Sequence, residues 1–370
     1  MNTVHVRLCA VTSILLFVGI AGCSQNNHAP GKAAAPASNA LVPAPAGPMS
    51  ADAINNAKFP PLAAPQGPAP VATPAAPANS PPDPVLIRAE VLLDRARFSP
   101  GVIDGKVGDN EKNAIAAYQG QTNLPATGQL DAATWNALTR DTRPVMQSYT
   151  ITAQDVAGPF SPDVGEDFVK LAAQPQGPLY ATPLEALAER FHMSQALMSA
   201  LNPGAAFTKP GTTLIVAAPG AAAFAKGDVA RIEVSKSNAE LTAFGADGRP
   251  LAVYPATVGS TEKPSPSGIH KVVGVALNPD YVYDPSKLHW GPRSHGKLTI
   301  KPGPNSPVGV VWIDLNAPSY GIHGSPNPEK IGKTASHGCV RLTNWDALAL
   351  SAGVKPGVEV AFVGARKAKR

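Results

Sequence analysis

The chain has 370 residues, room for two or three ordinary domains, but 40 are proline. That is about twice the usual share, and many lie early in the chain, so the globular part is smaller than the length suggests. A formal charge of +5 favours anionic partners such as a cell-wall polymer. Three scattered cysteines exclude a disulfide framework, and the absence of paired-cysteine zinc ribbons, a P-loop or a glycine-rich dinucleotide turn removes the common zinc and nucleotide-dependent classes. No nucleic-acid partner is expected.

At the N-terminus Arg7 supplies a short positive region before the apolar run Leu8–Ile20, which is too short to span a bilayer comfortably. Ile20-Ala21-Gly22-Cys23 resembles a bacterial lipobox. That resemblance implies a signal peptide over residues 1–22, lipid on Cys23, and a membrane anchor on the periplasmic side of the envelope. Ser24 after it is similar to outer-membrane sorting signals. An ordinary secretory signal is the competing reading. Residues 23–83 read as a disordered linker: of the 59 positions 24–82, 18 are Ala and 14 are Pro, with Phe59 as the sole aromatic. Such a segment buries too little apolar surface to offset its ordering entropy. Its reach lies between about 40 Å coiled and roughly 180 Å extended.

Residues 84–140 form a first small domain of three helices: Leu86–Arg97, Asn110–Gln121, and one capped by Asp131 and running to Leu138. Pro100-Gly101 and Asp104-Gly105 mark the loop between the first two. With Tyr118-Gln119, Thr127-Gly128 and Asp131-x-x-Thr134, this segment resembles the three-helix peptidoglycan-binding domain. A glutamine usual in the first helix is replaced by Glu90. Residues 148–218 form a second module: a strand at Tyr149–Ile151, helices opened by Thr182-Pro183 and by Ser194, and a strand at Thr213–Ala217. Ending its helices on Leu201-Asn202-Pro203-Gly204, it resembles a LysM glycan-binding module, apart from an insert of about thirty residues after its first strand.

Residues 229–363 are the largest domain and β-dominated, before a basic tail, 364–370. Alternation predicts strands at Ala230–Ser235, Glu240–Phe244, Leu251–Val258, Ile269–Val275, Val308–Leu315 and Val358–Val363, with a helix over Trp345–Ala352. The whole chain is therefore expected to be a multidomain α+β protein.

The chemistry concentrates in Gly321-Ile322-His323-Gly324 and Ser336-His337-Gly338-Cys339-Val340-Arg341. After processing at Cys23, Cys339 is the one thiol left, and a lone thiol in an exported protein is kept for its reactivity. It needs a base. His337 lies two residues away, on the same side of an extended segment; His323 must arrive from another segment, as catalytic bases usually do. Gly338 permits a sharp turn that aims backbone N–H groups, those of Gly338 and Cys339 and also His337, at one point as an oxyanion hole. Gly324 lets its carbonyl approach the His323 ring and fix its tautomer. Arg341 places a permanent cation near the thiol, able to grip a substrate carboxylate.

These residues resemble the YkuD-type L,D-transpeptidase signature, with further agreement at Pro264-x-Pro266-x-Gly268, at 303–309 and at Asn344-x-Asp346. The resemblance implies Cys339 as nucleophile and His323 as base and acid, with Gly324, His337 and Gly338 completing the catalytic group. Ser336, Arg341 and Asn344 bind substrate. It also implies acyl transfer between peptidoglycan stem peptides, or to a lipoprotein amine, without metal or organic cofactor, and sensitivity to carbapenems. A zinc site of His323, His337 and Cys339 is disfavoured by the neighbouring Arg341 cation. A hydrolase on the same fold and a non-catalytic wall anchor remain as alternatives. His289 and His295, flanking a loop near Trp290, read as solvated surface.

Overall fold

The computed structural model describes residues 49–60, 81–220, 223–286 and 295–365. Cys23, His289 and the tail residues 366–370 lie outside them. All the described residues fall within one compact unit.

The first helix, α1 (Ala51–Asn55), is capped by the Ser50 hydroxyl. It corrects the reading of 23–83 as linker throughout. Ile54 is fully buried, and the Asn55 side chain accepts from the N–H groups of Val145 and Met146 at 2.8 Å while donating to the Met146 carbonyl. Phe59 meets the Trp135 ring with centroids 6.1 Å apart, and Arg88 donates to the Ala57 carbonyl. Composition averaged over the whole segment hides these two apolar anchors.

Helices α2 (Pro84–Arg95), α3 (Asp109–Gln121) and α4 (Ala132–Leu138) follow. Asp83 caps α2 with Pro84 in its first turn, and Asp131 caps α4, accepting from the Thr134 N–H at 2.7 Å. Such caps contribute about 1 kcal/mol each. Glu90 points inward from α2, accepting from the N–H groups of Asp104 and Gly105, and so shapes the α2–α3 loop.

In the second module, β1 (Met146–Thr150) and β2 (Thr213–Ala217) pair antiparallel, enclosing α5 (Ala153–Ala157), α6 (Phe168–Ala173), α7 (Pro183–Arg190) and α8 (Gln195–Leu201). Thr182 and Ser194 cap α7 and α8. The insert after the first strand is thus not a bare loop: it forms α5, held by a Thr152/Asp155 capping box, and α6.

The remaining strands are β3 (Arg231–Ser235), β4 (Glu240–Phe244), β5 (Pro250–Pro255), β6 (Gly268–Leu277), β7 (Tyr281–Tyr283), β8 (Leu298–Ile300), β9 (Val311–Leu315), β10 (Gly321–His323), β11 (Val340–Arg341) and β12 (Glu359–Val363), with helix α9 (Asn344–Gly353) before the last. Eight form one sheet in the order β11-β10-β9-β6-β12-β3-β4-β5, while β7 and β8 make a separate hairpin. Strict alternation sends Ile232, Val234, Leu241, Ala243, Ile313 and Ile322 into one core, with Leu350 of α9.

The three modules are sewn together by backbone as well as by side chains. Ser99 N–H donates to the Val253 carbonyl and Val253 N–H to the Arg97 carbonyl, both at 2.8 Å, so the chain leaving α2 adds a short strand to the outer edge of β5. Ile103 and Met193 bridge the first and second modules in the same way. A single apolar core runs through α1, the three-helix module and the second module. Helix α6 packs Phe168 and Leu171 against Tyr283 and Ile300 of the β7–β8 hairpin.

Helix α1 is therefore a structural clasp. Ile54→Ala should lower unfolding free energy by roughly 2–4 kcal/mol, the cost of emptying a fully buried aliphatic site. Urea titration of the purified protein checks this; a loss below about 0.5 kcal/mol, typical of surface positions, would mean that α1 is not docked.

Candidate active site

Strands β10 and β11 run parallel, with Ile322 opposite Val340 and His323 opposite Arg341. Parallel neighbours cannot be joined by a tight turn, so residues 324–339 form the crossover. Because side chains alternate, Ile322, Val340 and Leu342 enter the core while His323, Cys339 and Arg341 share the other face. On the far side of β10, Trp312 is the register partner of His323, and the two rings stack at 5.5 Å and 20°.

His323 is buried, and its Nδ1 lies 2.7 Å from the Gly324 carbonyl. A carbonyl only accepts, so Nδ1 carries the proton and Nε2 is left as the acceptor. Gly324 must be glycine here: a Cβ would lie 2.2 Å from Asn344 Oδ1.

The turn that carries Cys339 is held from several sides. Ser336 Oγ donates to the Cys339 carbonyl at 2.5 Å and accepts from the Gly338 N–H at 3.0 Å. Gly338 has φ +122°, and a Cβ there would meet the Tyr320 ring at 2.6 Å. Its carbonyl accepts from Ser265 Oγ at 2.7 Å, and Ser265 in turn accepts from the Gly259 N–H. Thr257 exchanges two 2.9 Å backbone hydrogen bonds with Arg341, bracketing β11 opposite β10. The half-buried Cys339 thiol donates to the Ser319 carbonyl at 3.6 Å. Ser319 has φ +69°, an unfavourable conformation for a residue with a Cβ. Among the described residues the Arg341 guanidinium has no hydrogen-bond partner, and its Nε is buried.

With this geometry in view, residues 229–361 match the family model of the L,D-transpeptidase catalytic domain, YkuD, and residues 85–138 match that of a peptidoglycan-binding domain. Three proteins bearing the L,D-transpeptidase name are similar to the chain. YkuD of Bacillus licheniformis is 44% identical over 62 residues, covering 17% of this chain and 38% of that protein. YkuD of Bacillus subtilis is 28% identical over 122 residues, 33% of this chain and 59% of that protein. YqjB of Bacillus subtilis is 31% identical over 133 residues, 34% of this chain and 67% of that protein. The chain belongs to the L,D-transpeptidase family. It spans well under two thirds of the length of the first two relatives, 38% and 59%.

Within this YkuD domain the electrostatics separate the two histidines. Burial, then the Arg341 charge, pushes His323 down to about 3, against a smaller opposing effect of the Gly324 carbonyl. The ring is therefore neutral, with Nε2 able to take a proton, at any pH well above that value. His337 is exposed on the turn and only lowered, by partial burial and the Lys263 and Arg341 charges. Burial raises the Cys339 thiol, opposed by the Gly321 N–H and the Arg341 cation. At neutral pH Cys339 thus rests as the thiol and His323 as the neutral imidazole. His323, His337 and Cys339 do not form a metal-binding cluster, nor does any other group of three His, Cys, Asp or Glu residues among the described residues.

Three residues expected at the site from the sequence have definite partners in the fold. Ser336 is buried with its hydroxyl engaged on both sides of the turn, so it holds the backbone geometry around Cys339. The Gly338 N–H points to Ser336 Oγ. Asn344 is buried beneath Gly324, donating to Glu189 Oε1 and the Pro304 carbonyl and accepting from the Val310 N–H, so its amide supports the site from within the fold. Burial raises the Glu189 carboxyl to about 7. Ser265, Thr257, Trp312, Ser319 and Glu189 are missed by sequence reasoning. The one available signal was the unspecified position inside Pro264-x-Pro266, which Ser265 fills.

Alkylation of Cys339 by a neutral thiol reagent should rise with pH and show no inflection near 6.5, because His323 stays neutral down to about 3. His323→Ala should be slowed about 100-fold at pH 7 and recover at high pH, where thiolate forms without a base. An inflection near 6.5 that vanishes in His323→Ala would contradict this charge assignment.

Proposed function

We propose that the chain is a peptidoglycan L,D-transpeptidase acting through a thioester on Cys339. The observation that carries this reading is the tautomer: with Nδ1–H held by the Gly324 carbonyl, His323 offers a bare Nε2 on the face that it shares with Cys339. His323 takes the thiol proton, and the sulfur attacks the carbonyl of the third residue, diaminopimelate, of a tetrapeptide stem. The oxyanion is received by the Cys339 N–H, which has no acceptor among the described residues. The C–N bond to the terminal D-Ala breaks as His323 returns the proton to that nitrogen. An amine of a second stem, or of a lipoprotein, then attacks the thioester, and its proton passes through His323 while the thiol is restored.

Arg341 supports the substrate assignment. A guanidinium beside the thiol, whose Nε has no hydrogen-bond partner among the described residues, suits a stem-peptide carboxylate, which it grips in two-pronged fashion. The three-helix module fits a wall polymer as ligand, and the β1–α7–α8–β2 module is read as LysM-like, binding glycan.

Purified protein given tetrapeptide muropeptides should yield cross-linked dimers and free D-Ala by mass spectrometry. Cys339→Ala should yield neither while melting like the parent. Tripeptides without dimers would make the protein a hydrolase, and no product from the parent would leave it a wall-binding anchor.

The mature protein is also proposed to be a lipoprotein anchored through Cys23 on the periplasmic side of the envelope, in the outer membrane, with the Ala/Pro-rich segments around α1 spanning the gap to the wall. Cys23→Ala should abolish labelling by an alkynyl fatty acid and cut cellular cross-linking severalfold through lost local concentration, with the purified rate unchanged. A mature N-terminus elsewhere than Cys23 would sink this part.

A further inference from the structure

The contacts between α7 and the YkuD domain go beyond simple packing. Glu189, on α7, is buried where the second module meets the loop before β9. Its Oε1 accepts two hydrogen bonds, from Tyr180 Oη at 3.0 Å and from Asn344 Nδ2 at 2.8 Å. Asn344 Nδ2 also donates to the Pro304 carbonyl at 3.1 Å. Two acceptors on one side fix which end of the amide faces which way. Its Oδ1 therefore turns to the other side, where it accepts from the Val310 N–H at 3.2 Å. It also lies so close to Gly309 and Gly324 that an added Cβ would meet it at 2.0 and 2.2 Å. Gly324 is the residue whose carbonyl holds Nδ1–H of His323.

We propose that Glu189 is a positioning residue of the active site: it reaches from the second module through the Asn344 amide to seat Gly324, and so keeps His323 in the tautomer that presents Nε2 to the thiol. This rests on the reading of His323 as the base for Cys339. The part that an aspartate plays by direct contact in a serine triad is here divided. A backbone carbonyl touches the ring, and a carboxylate two contacts away fixes where that carbonyl stands. Were the Asn344 amide to flip, its Oδ1 would face the Glu189 oxygen and the Pro304 carbonyl, and its NH₂ the Val310 N–H. Three favourable contacts would become repulsive, and Glu189 supplies the shortest of the three, so its carboxyl helps to fix the orientation. It follows that the second module is a structural part of the catalytic centre, whatever it binds.

The test uses the full chain with Glu189→Gln, Glu189→Leu and Asn344→Asp. Two readouts are followed: ¹⁵N chemical shifts of the His323 ring, and the rate of Cys339 alkylation by iodoacetamide against pH. Gln keeps an oxygen for both donors, so Glu189→Gln should stay within about twofold of the parent. Glu189→Leu should mix the two ring tautomers and slow alkylation about tenfold at pH 7, with the gap closing at high pH where no base is needed. Should Glu189→Leu not fold, Asn344→Asp decides, since it sets a second carboxylate against Glu189 and should give the same two changes. A folded Glu189→Leu or Asn344→Asp with the parent's ring shifts and rate overturns the proposal, as does a Glu189→Gln that behaves like Leu. Neither readout involves a muropeptide, so a protein that makes no dimers but shows these changes would sink the transpeptidase reading alone.

Discussion

The active site depends on one constraint, the parallel pairing of β10 with β11. A parallel register puts His323 opposite Arg341, and the period of two then brings Cys339 to the same face. An antiparallel return would have needed only a tight turn. The parallel one needs a crossover, and residues 324–339 supply it. That crossover is then pinned at both ends: Gly324 under His323, and the Ser336–Gly338 turn under Cys339. His323 and Cys339 are thus placed by backbone, and the side chains between them maintain that placement.

A second consequence is how much of the site lies outside the YkuD domain. The crossover itself is touched by the first module, since Asn110 Nδ2 donates to the Ile331 carbonyl at 2.9 Å and crowds Gly332. Asp346, at the start of α9, accepts from Ser99 Oγ of the same module at 3.0 Å. The second module holds the loop before β9 through Asn305, which donates to the Leu179 carbonyl and to Glu185. The two smaller modules and the eight-stranded sheet share polar joints beside the residues of the candidate site.

The sequence made some of this legible and hid the rest, for physical reasons. Caps at Asp131, Thr182 and Ser194 are local chemistry and can be read directly. The alternating strands β3, β4 and β9 bury one face and leave a pattern. Strands β7, β8, β10 and β11 have only two or three residues, too few to show a period. The grouping of His323, Gly324, Cys339 and Arg341 was visible because two short motifs carry it. The partners of Ser336 and Asn344 were not, because Gly338, Pro304 and Glu189 meet them only after folding, in the last case across 155 positions of chain. A polar residue inside a motif reads equally well as ligand or as scaffold until its neighbours are known. Helix α1 escaped for a different reason: a five-residue helix in an Ala/Pro-rich stretch is stable only where a groove awaits it.

The short bridge between Phe98 and Val253 has a consequence for how this protein can be divided. Strand β5 ends the eight-stranded sheet, and a bare edge strand is a template on which other chains aggregate. In the intact protein the chain leaving α2 covers that edge, and Val253 packs into the core of the first modules. A fragment beginning at residue 229 keeps every residue of the nucleophile turn yet leaves β5 uncovered. What resembles a string of independent modules is, at this seam, a sheet whose last rung comes from another part of the chain.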